Sequence, residues 1–416
     1  MVSHTVLQPT ASSRASQRSL WALDALNFFL ADVVGGVGPY LAVYLKSALR
    51  WDAGSIGVAM ATASVCAVIA QTPAGALVDK TVHKRAVISI AALTIALGAV
   101  LLVASPCFPC VIGSQVLIGS ASAFLPPAVA AISLGLVGPH QFDKRIGRNE
   151  AFNHSGNVAA AAVSGLASKL FSIASIFNVV AILALSSIAS VLMIDAKEID
   201  HNLARGSNSG AADAKAPVSG ILHTLSDKRI LVFAVSAILF HFANAAMLPQ
   251  VGQKVAESKV MDPGVCMSAC IIVAQFCMVP SALLASKFAA TLGRKPVFLI
   301  GFASLPLRAI LFTLTNNPYA LIATQVLDGV GAGIYGVLGV VIAADLTRGT
   351  GRFNVVQGIV ATGLGIGAGL SNLLIGYIVK AGGYNAGFLT LAGISLAAIA
   401  FFWLLMPETM HLSDDN

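Results

Sequence analysis

Long apolar runs, separated by short polar segments, alternate along almost the whole chain. An α-helix needs roughly 20 apolar residues to cross a hydrocarbon core about 30 Å thick. Because backbone groups in hydrocarbon must be hydrogen-bonded within their own segment, the runs predict transmembrane helices. We place twelve, at 20–46, 53–78, 86–105, 109–136, 150–171, 173–194, 229–250, 263–288, 296–315, 319–345, 353–380 and 385–406. The pattern therefore predicts an all-α polytopic membrane protein.

The composition excludes a water-soluble protein of this length. Of the 416 residues, 57% are hydrophobic and 10% are charged, whereas soluble domains carry about 25% charged residues. The formal net charge of +7 could indicate nucleic-acid binding, but the basic residues lie in short loops between the apolar runs. We interpret them as topology signals and expect no nucleic-acid partner.

The distribution of Lys and Arg predicts the orientation. With the N-terminus in the cytoplasm, eighteen basic residues fall in cytoplasmic segments and six in external loops. Because cytoplasmic loops are enriched in positive charge, both termini are predicted to be cytoplasmic. Residues 1–19 lack the features of a cleaved signal peptide. We expect a multi-pass protein of the cell (plasma or inner) membrane.

A polar segment divides the twelve runs into six and six. The predicted organisation is a cytoplasmic tail, two six-helix bundles joined by a cytoplasmic linker, and a second cytoplasmic tail. The boundaries, in chain order, are 1–19, 20–194, 195–228, 229–406 and 407–416.

The two halves repeat one another at an offset of 210 residues. The matches are Gln115 with Gln325, Leu117 with Leu327, Gly119 with Gly329, Pro39 with Pro249, and Lys84-Arg85 with Arg294-Lys295. Because each half has an even number of spans, the repeats are parallel. This arrangement is typical of transporters that bind substrate near the midplane between two halves.

The loop between the second and third spans carries a motif, Gly75-Ala-Leu77-Val-Asp79-Lys-Thr-Val82-His-Lys84-Arg85. Its second-half copy keeps Gly293-Arg294-Lys295 but has Ala290 in place of the aspartate. With the repeat, this motif resembles the major facilitator superfamily over residues 20–406. The resemblance implies the two-bundle fold of that family and secondary transport by alternating access. It also implies a cytoplasmic gating latch that holds the outward-open state, formed by Gly75, Asp79, Lys84, Arg85, Gly293, Arg294 and Lys295. A plain basic loop is the alternative.

Two sites depart from the family's proton-coupled exporters. Gln115 occupies the position of their fourth-span arginine, and Ala160-Ala161 replaces the central Gly-Pro of their fifth-span motif. The resemblance still favours an antiporter, with proton-coupled efflux of a small organic compound. Import of a small organic acid or a sugar-like solute is the alternative, and a transporter-like sensor without translocation is a third possibility.

Ionisable side chains inside the predicted spans mark a functional layer, because charge in hydrocarbon is costly. Asp32, His241 and Arg308 lie about 18 Å from the cytoplasmic face, and Asp328 lies about 13 Å from the external face. All four are therefore near the midplane. We predict that they form a proton and substrate site with Asn244, Gln115 and Tyr335. Arg308 is expected to pair with Asp328, although Asp32 or a carbonyl stays open as its partner. Structural hydrogen bonding is the alternative role for each.

The fifth span begins with a polar helical face. Its members, at spacings of i, i+3, i+4 and i+7, are Glu150, Asn153, His154 and Asn157. We predict that this face lines an inner vestibule together with Gln357, and packing hydrogen bonds are the alternative. Asp24 and Asp345, near cytoplasmic span ends, are expected to be solvated or to cap helices.

Other chemistry is weakly indicated. Cys107 and Cys110 form a Cys-Phe-Pro-Cys loop that allows a metal site, a disulfide or free thiols, of which we favour free thiols. No phosphate-binding Gly-x-x-x-x-Gly-Lys-[Ser/Thr] loop occurs, which argues against an ATP-driven pump. We expect no enzyme activity, no cofactor and no metal. The expected partners are a small-molecule substrate, protons and the lipid bilayer, and we expect a monomer.

Overall fold

The computed structural model describes residues 15–35, 37–205, 224, 226–348 and 352–410, and all regular secondary structure in these ranges is helical. The first half contains α1 (Gln17–Gly35), α2 (Val37–Ser47), α3 (Ala53–Lys80), α4 (Lys84–Ala104), α5 (Phe108–Ser122), α6 (Leu125–Val137), α7 (Pro139–Leu170) and α8 (Ser175–Met193). The second half contains α9 (Lys228–Asn244), α10 (Met247–Ser258), α11 (Pro263–Ala289), α12 (Arg294–Leu314), α13 (Pro318–Thr324), α14 (Val326–Thr347) and α15 (Phe353–Leu405).

Within the described residues, ten helical stretches are long and apolar enough to cross a membrane. The all-helical membrane fold is thereby confirmed. Two of the predicted spans lie together in α15, whose 53 residues are interrupted at Gly383 with φ 80° and ψ 174°. The predicted span at 150–171 lies in α7, which has 32 residues and begins with a polar, charged segment. The count of twelve spans stays a prediction.

A turn interrupts one membrane crossing of the second half. Ala245 and Ala246 separate α9 from α10, which begins at Met247 and carries Pro249 near its start. Proline is tolerated in the first turn of a helix and disrupts a helix interior. Its repeat partner Pro39 lies in α2, at an offset of 210 residues.

Two apolar cores support the two halves. The first is built from residues between 22 and 204, and the second from residues between 230 and 406 with Ala53 added from the first half. The predicted domain boundaries stay predictions, because most of the linker, with Ser207 at its centre, lies outside the described residues.

The halves meet closely at the end of the molecule opposite the termini. A Cβ at Gly57 of α3 would lie 2.4 Å from the carbonyl oxygen of Asn372 in α15, so only glycine permits this approach. Two ion pairs join the halves at the same end. Nζ of Lys46 lies 2.5 Å from a Glu257 oxygen, and Nζ of Lys380 lies 3.1 Å from an Asp52 oxygen.

The Asp52 carboxylate stays charged over the physiological pH range. Partial burial alone would raise the pKa of Asp52, but hydrogen bonds from Ser55 and Lys380 outweigh this and lower the pKa to about 2. The stabilising contribution of such a lowered pKa is complete above the unfolded-state value and is lost only as pH falls through the folded value. The charge of Asp52 therefore does not change near neutral pH.

The helices are more open at the end that carries the termini. A Cβ placed at Gly75, near the end of α3, or at Gly358, near the start of α15, would have no neighbour within 4 Å. The same two helices are in close contact at Gly57 and Asn372. The two helices are therefore packed together at the end opposite the termini, and these two glycines have no packed neighbour at the other end.

The structure contradicts the expectation of free thiols at Cys107 and Cys110, which it joins in a disulfide. Cys107 caps α5, and the backbone N–H of Cys110 donates to its Sγ. The first turn of the helix brings the two Cα atoms to 5.2 Å, within the range of disulfides.

The glycine contacts predict a position-specific loss of stability. A Cβ at Gly119 of α5 would lie 2.2 Å from the carbonyl oxygen of Ala63 in α3, so Gly119→Ala must push two helices apart. Overpacking of this kind costs about 1–3 kcal/mol. We expect a melting temperature several degrees below that of the wild type in detergent solution.

Gly113→Ala, in the same helix, is the matched control. A Cβ there would meet nothing within 4 Å, and alanine favours helix over glycine by about 1 kcal/mol. Its melting temperature should equal or exceed that of the wild type. Equal melting temperatures for the two variants would contradict the described α3–α5 packing.

Candidate functional site

A cavity of about 570 Å³ lies between the first half and α11 of the second half. Its walls come from α1, α2, α6, α7 and α11. The polar lining residues are Asn27, Asp32, Asn149, Glu150, Asn153, Asn157 and Gln275. A volume between about 300 and 1,000 Å³ with a few convergent polar groups is typical of small-molecule sites.

Asp32 is the buried carboxylate of this cavity. Only 3% of the residue is exposed, and among the described residues its Oδ2 has no hydrogen-bond partner. Buried polar atoms are nearly always hydrogen-bonded in proteins. Asp32 is therefore suited to take a partner from the cavity.

The polar face of α7 contributes to the same cavity. Glu150, Asn153 and Asn157 line it, and Nδ2 of Asn157 donates to Oδ1 of Asn153 at 3.2 Å. His154 turns to the second half, where its Nδ1 lies 2.7 Å from Oε1 of Gln275. The four residues predicted to line a vestibule are thus brought together. Gln357 is not among the described lining residues.

A second polar centre lies within the second half. Arg308, 1% exposed, forms an ion pair with Asp328, which lies in the first turn of α14. Nη2 of Arg308 donates to Oδ1 of Asn244 at 2.5 Å, and its Nε donates to Sδ of Met247 at 3.1 Å. Of the partners considered for Arg308 from the sequence, Asp328 is the one that the structure shows. Asn244 is an additional hydrogen-bond partner.

The repeat shows that this junction does not require charge. The residues 210 positions before Arg308 and Asp328 are Gly98 and Ile118. They also meet, since a Cβ at Gly98 would lie 2.7 Å from Cγ1 of Ile118. The same helix pair is therefore held by an apolar contact in one half and by an ion pair in the other.

His241 and Tyr335 lie in an aromatic cluster rather than beside the ion pair. Their rings are edge to face at 5.0 Å, and Tyr335 stacks on Phe240 at 4.3 Å. Neither Nε2 of His241 nor the Tyr335 hydroxyl has a hydrogen-bond partner among the described residues. Sequence depth could not predict this cluster, because helix rotation decides which neighbours the two side chains meet.

Gln115 lies in a separate, smaller cavity. This cavity, about 210 Å³, is bounded by α2, α3, α5 and α15 and includes Asn372. Gln115 is 1% exposed, and Gln325, its repeat partner, is fully buried. The predicted midplane residues thus fall into separate places, not one site.

The gating motif is partly engaged in helix-end contacts. Lys84 is buried and donates to the carbonyl of Thr81 at 2.9 Å, and Arg85 donates to the carbonyl of Ile194 at 2.5 Å. Cations at helix C-termini are favourable because of the helix dipole. Asp79 is exposed, and Gly75 has no packed neighbour at its Cβ position.

The second-half copy of the gating motif is held by hydrogen bonds to the C-terminal segment. Gly293 has a φ of 96°, and the backbone N–H groups of Arg294 and Lys295 donate to the Glu408 carboxylate at 2.8 and 3.0 Å. Burial would raise the pKa of Glu408, but these hydrogen bonds, with those from Thr409 and Met410, lower it. A carboxylate at the N-terminus of α12 also interacts favourably with the helix dipole.

Two expectations about span ends were wrong. Asp24 is 5% exposed rather than solvated, and it pairs with Arg145 and with Arg148, whose Nη2 lies 2.6 Å from Oδ2. Asp345 pairs with Arg294 at 3.3 Å. The partners are distant in sequence, so no local pattern indicated them.

Other contributors were missed by the sequence analysis. Gln275 was detectable as an isolated amide in an apolar run, whereas Glu408 resembled an ordinary tail residue. In the described residues, no group of three His, Cys, Asp or Glu side chains is arranged to hold a metal ion. The roles of all the residues in these sites stay predictions.

Comparison with known proteins gives the family. The family model described as "Major Facilitator Superfamily" matches residues 23–290 and 267–415. The chain is 44% identical over 333 residues to the uncharacterized MFS-type transporters MT2531 and Rv2456c of two Mycobacterium tuberculosis strains, covering 79% of this chain and 79% of each relative.

Solved structures share the fold. The nucleoside transporter NupG matches with a TM-score of 0.76 and 16% identity, over 92% of this chain and 98% of that one. The D-xylose-proton symporter matches with a TM-score of 0.70 and 14% identity, over 94% and 97%. From the sequence match and the shared helical architecture, the chain belongs to the major facilitator superfamily of transporters, and it is not an enzyme.

Proposed function

We propose that this protein is a proton-coupled secondary transporter that exports a small organic compound by alternating access. The cavity that contains the partner-free Asp32 carboxylate carries the proposal. It lies where a transporter of two parallel repeats binds its substrate, between the halves. The membrane and transporter character follows from the family, whereas direction, substrate and coupling ion belong to the proposal.

The conformation supports alternating access. Cross-half ion pairs close the end opposite the termini, while Gly75 and Gly358 are unpacked at the other end. With both termini in the cytoplasm, as the Lys and Arg distribution predicts, this is an inward-facing state. The Asp79 latch is then open, and it closes when the halves rock to the outward-facing state.

Proton coupling is assigned to the two midplane carboxylates, Asp32 and Asp328. A carboxylate in an apolar region is stabilised in its charged form by a nearby cation and destabilised by desolvation. Movement of Arg308 relative to Asp328 during rocking changes this balance, so the acid takes up or releases a proton. The first half uses Gly98 and Ile118 at the same junction, which indicates that the ion pair serves function rather than folding.

The repeat provides a test of that distinction. Replacing Arg308 or Asp328 alone leaves one buried charge unpaired, at a cost of about 3–5 kcal/mol. The double variant Arg308→Gly with Asp328→Ile copies the first-half junction and removes both charges. We expect low melting temperatures for Arg308→Gly and Asp328→Ile, and recovery of most of the loss in the double variant.

Thermal unfolding of the purified proteins in detergent checks this, and neutral Asp328→Asn serves as a near-isosteric comparison. A double variant as unstable as the worse single variant would show that the ion pair is required for the fold.

Coupling is tested in proteoliposomes with an imposed pH gradient. Asp328→Asn cannot change its charge, so we expect it to exchange substrate across the membrane but not to accumulate it against a gradient. The direction of the pH gradient that drives wild-type accumulation distinguishes export from import. Uphill accumulation by Asp328→Asn at the wild-type level would exclude Asp328 from coupling.

The latch is tested by Asp79→Asn. Because Asp79 is exposed in this conformation, its loss should leave expression and melting temperature unchanged. Transport should slow several-fold, because the outward-facing state loses a stabilising interaction. Asp195→Asn, an exposed carboxylate after α8, is the matched control. A wild-type transport rate for Asp79→Asn would mean that Asp79 is only a loop charge.

A further inference from the structure

The charge of the cavity wall indicates the class of ligand. Two carboxylates, Asp32 and Glu150, line the cavity, and no Lys, Arg or His is among its described lining residues. Arg145 and Arg148 lie on the same helix as Glu150 but are paired with Asp24. The cavity therefore has an uncompensated negative wall.

The polar side chains of the cavity wall also offer hydrogen-bond acceptors to a ligand. Nδ2 of Asn27 donates to the carbonyl of Leu23 at 2.7 Å, which leaves its amide oxygen as an acceptor. Asn149 is occupied at both ends, since it accepts from Arg145 at 2.7 Å and donates to Ser133 at 2.9 Å. The carboxylates of Asp32 and Glu150 add free acceptors to the wall, and its remaining donors are neutral amide N–H groups.

The two carboxylates differ in environment. Glu150 is exposed and lies at the rim, whereas Asp32 is buried and lacks a partner for Oδ2. A charged ligand group that reaches Asp32 replaces water with a desolvated, charge-assisted hydrogen bond. Glu150 would attract a cation into the cavity, and Asp32 would hold it.

We propose that this cavity binds a small organic cation with N–H donors, such as a protonated amine, and that the ammonium group and a proton compete for the Asp32 carboxylate. The inference rests on the proposed transport function and names its substrate class. In each transport cycle, Asp32 releases a proton to solution when the protonated amine binds. When the amine leaves, Asp32 takes up a proton from solution. One acidic site shared by two cations makes Asp32 the exchange site, while the Arg308–Asp328 pair responds to the rocking of the halves.

Other titratable groups around Asp32 have to be considered in any pH dependence. Tyr40 of α2 lies close enough to interact with Asp32, but its hydroxyl is 2.7 Å from Ser268 Oγ. α7 contributes Glu150 at the rim and His154, which is bonded to Gln275. α6 and α8 contain no titratable side chain. Asp32 is the buried acid that the ligand would meet.

The test uses matched ligands on the purified full-length protein. The probes are tyramine, tryptamine and phenethylamine, each compared with its neutral N-acetyl derivative by thermal shift and calorimetry. We expect the amines to bind and the amides to bind at least about tenfold more weakly, because a charged hydrogen bond contributes about 1.5–3 kcal/mol. Asp32→Asn should weaken amine binding by about 10- to 100-fold and should leave amide binding unchanged.

The pH dependence separates competition from a merely structural role. If one proton competes with the amine for Asp32, the Kd for the amine should rise about tenfold for each unit by which the pH falls at low pH. At high pH the Kd should be constant. Asp32→Asn should give a flat profile. Asp195→Asn, which removes an exposed carboxylate far from the cavity, should retain the wild-type profile. Glu150→Gln should retain the slope and reduce the association rate, because a rim charge acts mainly on encounter.

Each opposing outcome is decisive. Equal binding of amines and amides, no binding of any amine, or wild-type binding by Asp32→Asn would overturn the inference. Failure of the proposed transport function would give a different set of results from failure of this ligand site. Asp32-dependent amine binding without proton-driven transport would leave this site intact and refute the transport mechanism. Proton-driven transport insensitive to Asp32→Asn would refute this site and the coupling role of Asp32, but it would leave proton-coupled transport itself standing.

Discussion

Charge buried away from water has to be compensated, and most ionised groups of the described chain follow this constraint. Arg308 is neutralised by Asp328 inside the second half, and Arg145 is neutralised by Asp24 inside the first. The helix-end groups Lys84 and Glu408 bind backbone carbonyls and N–H groups, respectively. Asp32 is the departure, because its Oδ2 is buried without a partner among the described residues. This departure is the observation on which the proposed ligand site depends.

The internal repeat supplies a scaffold, but it does not duplicate the chemistry. The contact between Gly98 and Ile118 in one half becomes the Arg308–Asp328 ion pair in the other. Asp32 has Phe242 at the equivalent second-half position. The first half therefore supplies most of the cavity wall, while the second half holds the charged pair. The two halves thus share a scaffold and differ in where their ionisable side chains lie.

The local patterns that can be read from the sequence depend on neighbours along one helix. Glu150, Asn153 and Asn157 line one cavity because spacings of three and four residues place them on one face of α7. Asp24 and the cysteine pair were misjudged for different reasons. The arginine partners of Asp24 are more than 100 residues away in the chain, and the cysteines are joined because the first turn of α5 brings them together.

The sequence by itself determined the membrane-spanning character, the two parallel halves and the family, and it predicted the layer in which the polar residues lie. These follow from hydrophobicity, from the 210-residue offset and from the rise per residue of a helix. Only the tertiary structure decided that Arg308 meets Asp328 and Asn244, that His241 and Tyr335 join an aromatic cluster, and that Asp32 faces a cavity. The physical reason is that many of these spans are apolar on nearly every side, so their own pattern does not fix their rotation. Packing against other helices, through contacts such as that of Gly57 with Asn372, sets the rotation and thereby the partners.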